Sequence, residues 1–350
     1  MERERNYGID LLRLVLMFMV CVLHVLGHGG VLSASRGDSV SFHAFCFLEI
    51  CAYCAVDGFA LISGYVSAGR APRWDRIVNM WLQVFFYSFG LTAILCLTPL
   101  RAHIGIKELV QALFPVTSNY FWYFTSYFAL FFAMPMLSCF VDRLEIPAAR
   151  KALVFLIVLY AVIGFPADAF GLQGGYSAIW LMLLYCMGAL TKKVALFSRR
   201  KTSALVIAFF ILSALSWGLM AFFEKNWLIN YTSPTMLLNA LILVVLFSRL
   251  QIKGKLVRRI SPLAFGIYLL QLNMILWKYV LKGSAAYIAA KPLAVGLIYV
   301  LLSSFALFAA GLAVEYLRSR VANKLKIHVL SLRIVEGCQK LLSKLALAFR

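Results

Sequence analysis

Three ionisable groups, Asp10, Arg13 and His24, stand on the first apolar stretch of the chain, residues 8–27, where a simple anchor would carry none. Each costs about 2.5–3.5 kcal/mol at mid-helix on insertion scales, so a polar surrounding must compensate for them. Arg13 and His24 are eleven residues apart, and at ~100° per residue they return to within about 20° of the same helix face. Asp10 lies one turn before Arg13 on that stripe. One face thus presents a carboxylate, a guanidinium and, ~16 Å further along, an imidazole. Such a face lines a polar cavity, and an imidazole there suits proton transfer near neutral pH. The plain alternatives are that Arg13 snorkels to the interface and that His24 bonds a neighbouring helix.

The next apolar run, CFLEICAYCAVDGFALISGYV, adds Glu49 and Asp57. Running in the opposite direction, it brings Glu49 to the depth of His24, where it could orient the imidazole, and leaves Asp57 near mid-bilayer; a structural hydrogen bond is the alternative for each. Ser63 and Gly64 at its far end favour close helix packing. Beyond them, Arg70, Arg73 and Arg76 fall within one short loop. Three guanidiniums there suit bidentate phosphate binding, although topology alone accounts for one or two of them.

The elements that must position these groups are membrane helices. The chain is 63% hydrophobic and only 14% charged, with a mean hydropathy of +0.87, well outside the soluble range. Apolar runs near 8–27, 45–67, 77–98, 119–141, 152–170, 176–191, 204–223, 234–251, 261–281 and 291–313 predict an all-α bundle of about ten transmembrane helices. The net charge of +20 excludes little by itself, but its placement argues against a nucleic-acid partner. Basic residues cluster in alternate loops, at Arg70 to Arg76, Arg143 to Lys151, Lys192 to Lys201, Lys253 to Arg259 and after Arg318. The positive-inside rule makes that side, and both termini, cytoplasmic.

Arg13 interrupts the first run and no strong cleavage site follows, so the run is expected to stay as a span rather than leave as a signal peptide. The eight cysteines lie almost all in apolar segments, which favours packing over a disulfide framework. Residues 1–317 are expected to form the membrane domain and 318–350 a basic amphipathic tail on the anionic inner leaflet. No residue set calls for a metal.

Gly8-Ile9-Asp10-Leu11-Leu12-Arg13 followed by His24, Val56-Asp57-Gly58-Phe59-Ala60-Leu61-Ile62-Ser63-Gly64-Tyr65, and the Arg70-x-x-Arg73 loop together resemble acyltransferase family 3, a group of bacterial inner-membrane acyltransferases. Weaker echoes follow at Tyr120 to Tyr123, Pro135, Trp180 to Gly188, Tyr231 to Pro234 and Phe265 to Leu269, so the resemblance covers residues 7–318. Two positions depart from the pattern: Gly58 stands where an aromatic is common, and Gln271 where many members carry a histidine.

The resemblance implies transfer of an acyl group, usually acetyl from cytoplasmic acetyl-CoA, to a hydroxyl or amine of an envelope carbohydrate or similar acceptor. Together with the residue reading above, it makes His24, as general base or transient acyl carrier, and Glu49 and Asp57 the expected catalytic groups. Asp10, Arg13, Ser63, Trp122 and Tyr123 become the expected substrate contacts, and Arg70, Arg73 and Arg76 the grip on coenzyme A. A bacterial cytoplasmic membrane location follows, and a homo-oligomer is compatible with it. The competing reading is a secondary transporter or flippase for a small anionic or sugar-linked substrate, because the same intramembrane charges suit a proton relay. No pairing of inverted halves supports it. A receptor or scaffold would have no need of His24.

Overall fold

The computed structural model describes residues 5–36, 39–67, 69, 73–223, 225, 226, 228–252 and 254–348. Among these residues every regular element is helical. In chain order the principal helices are α1 (Tyr7–Ala34), α2 (Val40–Ser67), α3 (Trp74–Leu95), α4 (Trp122–Arg143) and α5 (Ile146–Ile163). They are followed by α6 (Ala178–Lys193), α7 (Thr202–Phe223), α8 (Pro234–Ser248), α9 (Lys255–Gln271), α10 (Met274–Ala290), α11 (Leu293–Lys324) and α12 (Ile327–Ala348).

The expected all-α membrane bundle is present, but its spans are not ten equal ones. Seven described helices are long and apolar enough to cross a bilayer, or eight if α9 and α10, bent by 58°, count as one. The segments expected at 176–191 and 234–251 are α6 and α8, of 16 and 15 residues. At 1.5 Å per residue they reach ~24 and ~22 Å, short of a ~30 Å hydrocarbon core. Both are buried along most of their length, as helices that are apolar all round must be. They form the centre around which longer helices pack. In the other direction, α11 runs on to Lys324, beyond the expected end, and α12 folds back against α3.

Small residues set the closest approaches. A Cβ at Gly64 would overlap the backbone carbonyl of Tyr185, and one at Gly188 would overlap that of Leu61, so α2 and α6 touch backbone to backbone at both points. A Cβ at Gly8 would likewise overlap the Phe247 carbonyl. Beside it, Asn6 caps α1 by accepting from the Ile9 amide (3.1 Å) and donates to the Ser248 carbonyl (2.8 Å). The start of α1 is thereby fastened to the end of α8.

Two irregularities shape the other end of α1. At His24 the helix widens by one residue, because the His24 carbonyl accepts from the Gly29 amide at 2.7 Å, five residues on. Such π-turns recur at functional sites. The span expected at 261–281 is instead broken at Asn273, which is fully buried. Its side-chain oxygen accepts from the Ile275 and Leu276 amides (3.1 and 3.3 Å), capping α10, while its amide nitrogen donates to the Tyr87 carbonyl (3.0 Å) and Thr92 hydroxyl (3.2 Å). The bend brings the last residue of α9 and the first turn of α10 onto the π-turn of α1.

Candidate active site

A single cavity of about 2220 Å³ runs along α1 and is walled by α2, α3, α4, α6, α9 and α10. Its two ends differ in chemistry. At one end it is lined by Arg5, Arg13, Arg76 and Lys192 with one carboxylate, Asp10. Asp10 accepts from Arg13 and from Arg5, each at 2.5 Å, and Lys192 stands over the Tyr65 ring at 5.4 Å. Four cations around one carboxylate leave this end positive, a setting for a phosphate-bearing ligand.

At the other end the wall holds His24, His28 and Glu49. The His24 Nδ1 lies 2.7 Å from the Gln271 Oε1. An amide oxygen only accepts, so Nδ1 carries a proton, and in the neutral imidazole Nε2 is the nitrogen with the lone pair. The orientation of Gln271 is fixed from behind, since its amide nitrogen donates to the Cys21 thiol at 3.1 Å. The Trp277 indole meets the His24 ring edge-on at 4.9 Å and stacks on His28 at 3.5 Å. The His28 Nε2 donates to the Trp277 carbonyl at 2.7 Å. An imidazole oriented this way, with Nε2 turned from the Gln271 bond, can take a proton when neutral.

The expected site residues divide accordingly. Asp10, Arg13, His24, Glu49, Ser63, Arg76, Trp122 and Tyr123 all line the cavity. The Ser63 hydroxyl is turned to its own helix, donating to the Phe59 carbonyl at 3.0 Å, and the Tyr123 hydroxyl donates to the Val56 carbonyl at 3.4 Å.

Asp57 lies off the cavity wall. It is wholly buried and accepts from the Trp180 indole at 3.0 Å, with its second oxygen unpartnered. Arg73 is exposed and clasps Asp75 at 2.6 Å. The hydrogen bond and charge of Asp75 raise the Arg73 pKa above its ordinary value. Arg70 falls outside the described residues. The residue that holds the His24 imidazole is Gln271, and Glu49 makes no hydrogen bond to it.

Sequence reasoning passed over His28, one helical turn after His24, and Lys192, which read as topology only. Gln271 registered as a departure from a pattern, without its role.

A family model described as an acyltransferase domain matches residues 6–317, nearly the whole of the bundle just described. The chain belongs to acyltransferase family 3. No curated protein and no solved structure matches it. The chain is thus a membrane acyltransferase, and its main cavity joins a cationic end to a histidine end.

Proposed function

We propose that the chain moves an acyl group, most simply acetyl from acetyl-CoA, through this cavity to a hydroxyl or amine of an envelope carbohydrate or related acceptor. The observation that carries the reading is the continuity of one cavity from Arg5, Arg13, Arg76 and Lys192 to His24. In this reading the cationic end faces the cytoplasm, in keeping with the positive-inside rule, and holds the donor's phosphates. The basic helix α12 lies on the anionic inner leaflet of a bacterial cytoplasmic membrane. The donor's flexible arm extends along α1, and the ~16 Å between Arg13 and His24 sets how far the thioester must reach.

At the far end the His24 Nε2 takes the proton from the acceptor hydroxyl as that oxygen attacks the thioester carbonyl carbon. The carbon–sulfur bond breaks, and the departing thiolate recovers the proton from the imidazolium. Gln271 keeps Nδ1 protonated throughout, so that Nε2 is the nitrogen that works. Trp277 packs against both imidazoles and excludes water from them.

General acid–base groups contribute ~10²–10⁴-fold. His24→Ala and His24→Gln are therefore expected to lower transfer of label from acetyl-CoA to a crude envelope-glycan fraction by at least about a hundredfold. Expression should stay near normal, because neither change adds a charge to an apolar helix. Transfer at the wild-type rate in both variants would make His24 structural. Label trapped on the wild-type protein and lost in His24→Ala would replace the direct transfer with a covalent relay through the imidazole.

A further inference from the structure

Acyl transfer from a thioester places negative charge on the carbonyl oxygen. As the acceptor oxygen bonds to the carbonyl carbon, an electron pair of the carbon–oxygen double bond moves onto that oxygen, and it returns when the carbon–sulfur bond breaks. Donors fixed around the charged oxygen are commonly the largest single source of rate in such reactions.

The first turn of α4 offers donors of this kind. A helix leaves its first amides without intrahelical partners and carries partial positive charge at that end. A side chain at the cap usually accepts from them, but the cap here is Phe121, whose side chain makes no capping bond. The Thr125 amide donates to the Phe121 carbonyl at 2.9 Å, while the Tyr123 and Phe124 amides meet no acceptor at hydrogen-bond distance among the described residues. The turn is also shut from the surface, with Phe121 1% and Phe124 0% exposed.

A side chain from another helix points to the same spot. Tyr268 of α9 is 8% exposed, and its hydroxyl is directed at the Tyr123 and Phe124 amides yet has no hydrogen-bond partner. Three buried donors without an acceptor cost free energy until an oxygen accepts from them. Their place in the bundle is beside the imidazole. Tyr268 stands one turn before Gln271, which holds His24. The Tyr120 hydroxyl accepts from the Met274 amide at 3.1 Å and so fastens the approach to α4 onto the first turn of α10. Tyr123, Phe124, Tyr268 and His24 all line the one cavity.

We propose that the Tyr123 and Phe124 amides and the Tyr268 hydroxyl form the oxyanion site that receives the thioester carbonyl oxygen. His24 moves the acceptor's proton, and these donors hold the charge that its departure creates. The assignment rests on the acyl-transfer reading for its reaction, but polarisation of a bound carbonyl can be measured without turnover.

The test uses the full chain in lipid nanodiscs and the ketone analogue of acetyl-CoA in which a methylene replaces the sulfur, so that no acyl group can leave. Difference infrared spectroscopy reads the stretch of its isotopically labelled carbonyl. In the wild-type protein the stretch should fall below its value in water; in Tyr268→Phe it should return toward that value, and in His24→Ala it should stay low. Tyr268→Phe keeps the ring that packs on Phe121 and Phe265. It should lower kcat for label transfer from acetyl-CoA to a crude envelope-glycan fraction about a hundredfold, the scale of one lost oxyanion donor, with acetyl-CoA affinity unchanged. An unshifted stretch in the wild type, an equal shift in Tyr268→Phe, or wild-type kcat in that variant would each overturn the site. A lowered, Tyr268-dependent stretch in a protein that transfers no label would support the carbonyl site and count against the acyl-transfer reading alone.

Discussion

Two arginine–carboxylate pairs sit inside the bundle with the same three-residue spacing, and they do different things. In α1, Asp10 pairs with Arg13; in α11, Glu315 pairs with Arg318. Each carboxylate side chain is 3% exposed, but the Arg13 side chain is 31% exposed against 17% for Arg318. Asp10 and Arg13 line the cavity. Glu315 is instead sealed among helices. It accepts two hydrogen bonds from Arg318 (2.8 and 2.6 Å) and one from the Tyr87 hydroxyl (2.9 Å), in space left by Gly266, where a Cβ would overlap the carboxylate. The α11 pair therefore ties α3, α9 and α11 together, whereas the α1 pair presents charge to the cavity. An ionisable group within a membrane helix signals a site only when a cavity reaches it.

The largest effect expected from this contrast is on stability. Glu315→Leu leaves the half-buried Arg318 guanidinium without its partner and the Tyr87 hydroxyl without its acceptor, a change of about 3 kcal/mol, and should lower the thermal midpoint in detergent. Glu315→Leu combined with Arg318→Leu should recover most of the loss. A single variant as stable as the wild type would remove the distinction between the pairs.

A smaller effect of another kind is expected at α1. Arg13→Ala should shift the thermal midpoint little but weaken acetyl-CoA binding about tenfold or more, the scale of one hydrogen bond to a charged group, as titration calorimetry would register. Wild-type affinity there would move the donor away from Arg13. The smallest effect is expected at Arg73, whose exposed pair with Asp75 belongs to a class worth about 0–1 kcal/mol. Arg73→Ala should leave donor affinity within about twofold, while Arg76→Ala, on the cavity wall, should not.

The sequence carried much of this arrangement because lipid makes polar residues conspicuous. The stripe of Asp10, Arg13 and His24 was legible from helical period alone, and the three do share one cavity wall. The depth argument that paired Glu49 with His24 brought the two to the same end of the cavity but could not name the bonded neighbour. That neighbour, Gln271, lies 247 residues away in the chain and is delivered by the bend at Asn273, whose capping side chain has no apolar signature. Asp57 carried the same intramembrane signal as Glu49, yet the close α2–α6 contact at Gly64 and Gly188 closes that region, and Trp180 takes the carboxylate. The count of ten is not met by helix length at α6 and α8, because hydropathy registers burial in protein and burial in lipid alike. Glu315 drew no attention because it stands where the last span gives way to a basic tail.

The central claim is that donor and acceptor enter one cavity from opposite ends and meet at His24. Proteoliposomes with determined protein orientation test it directly, with labelled acetyl-CoA on one face and an impermeant glycan acceptor on either the same face or the opposite one. Label should reach the acceptor only when the donor is on the Arg13 side and the acceptor on the His24 side. Transfer that requires both substrates on the same side would contradict it.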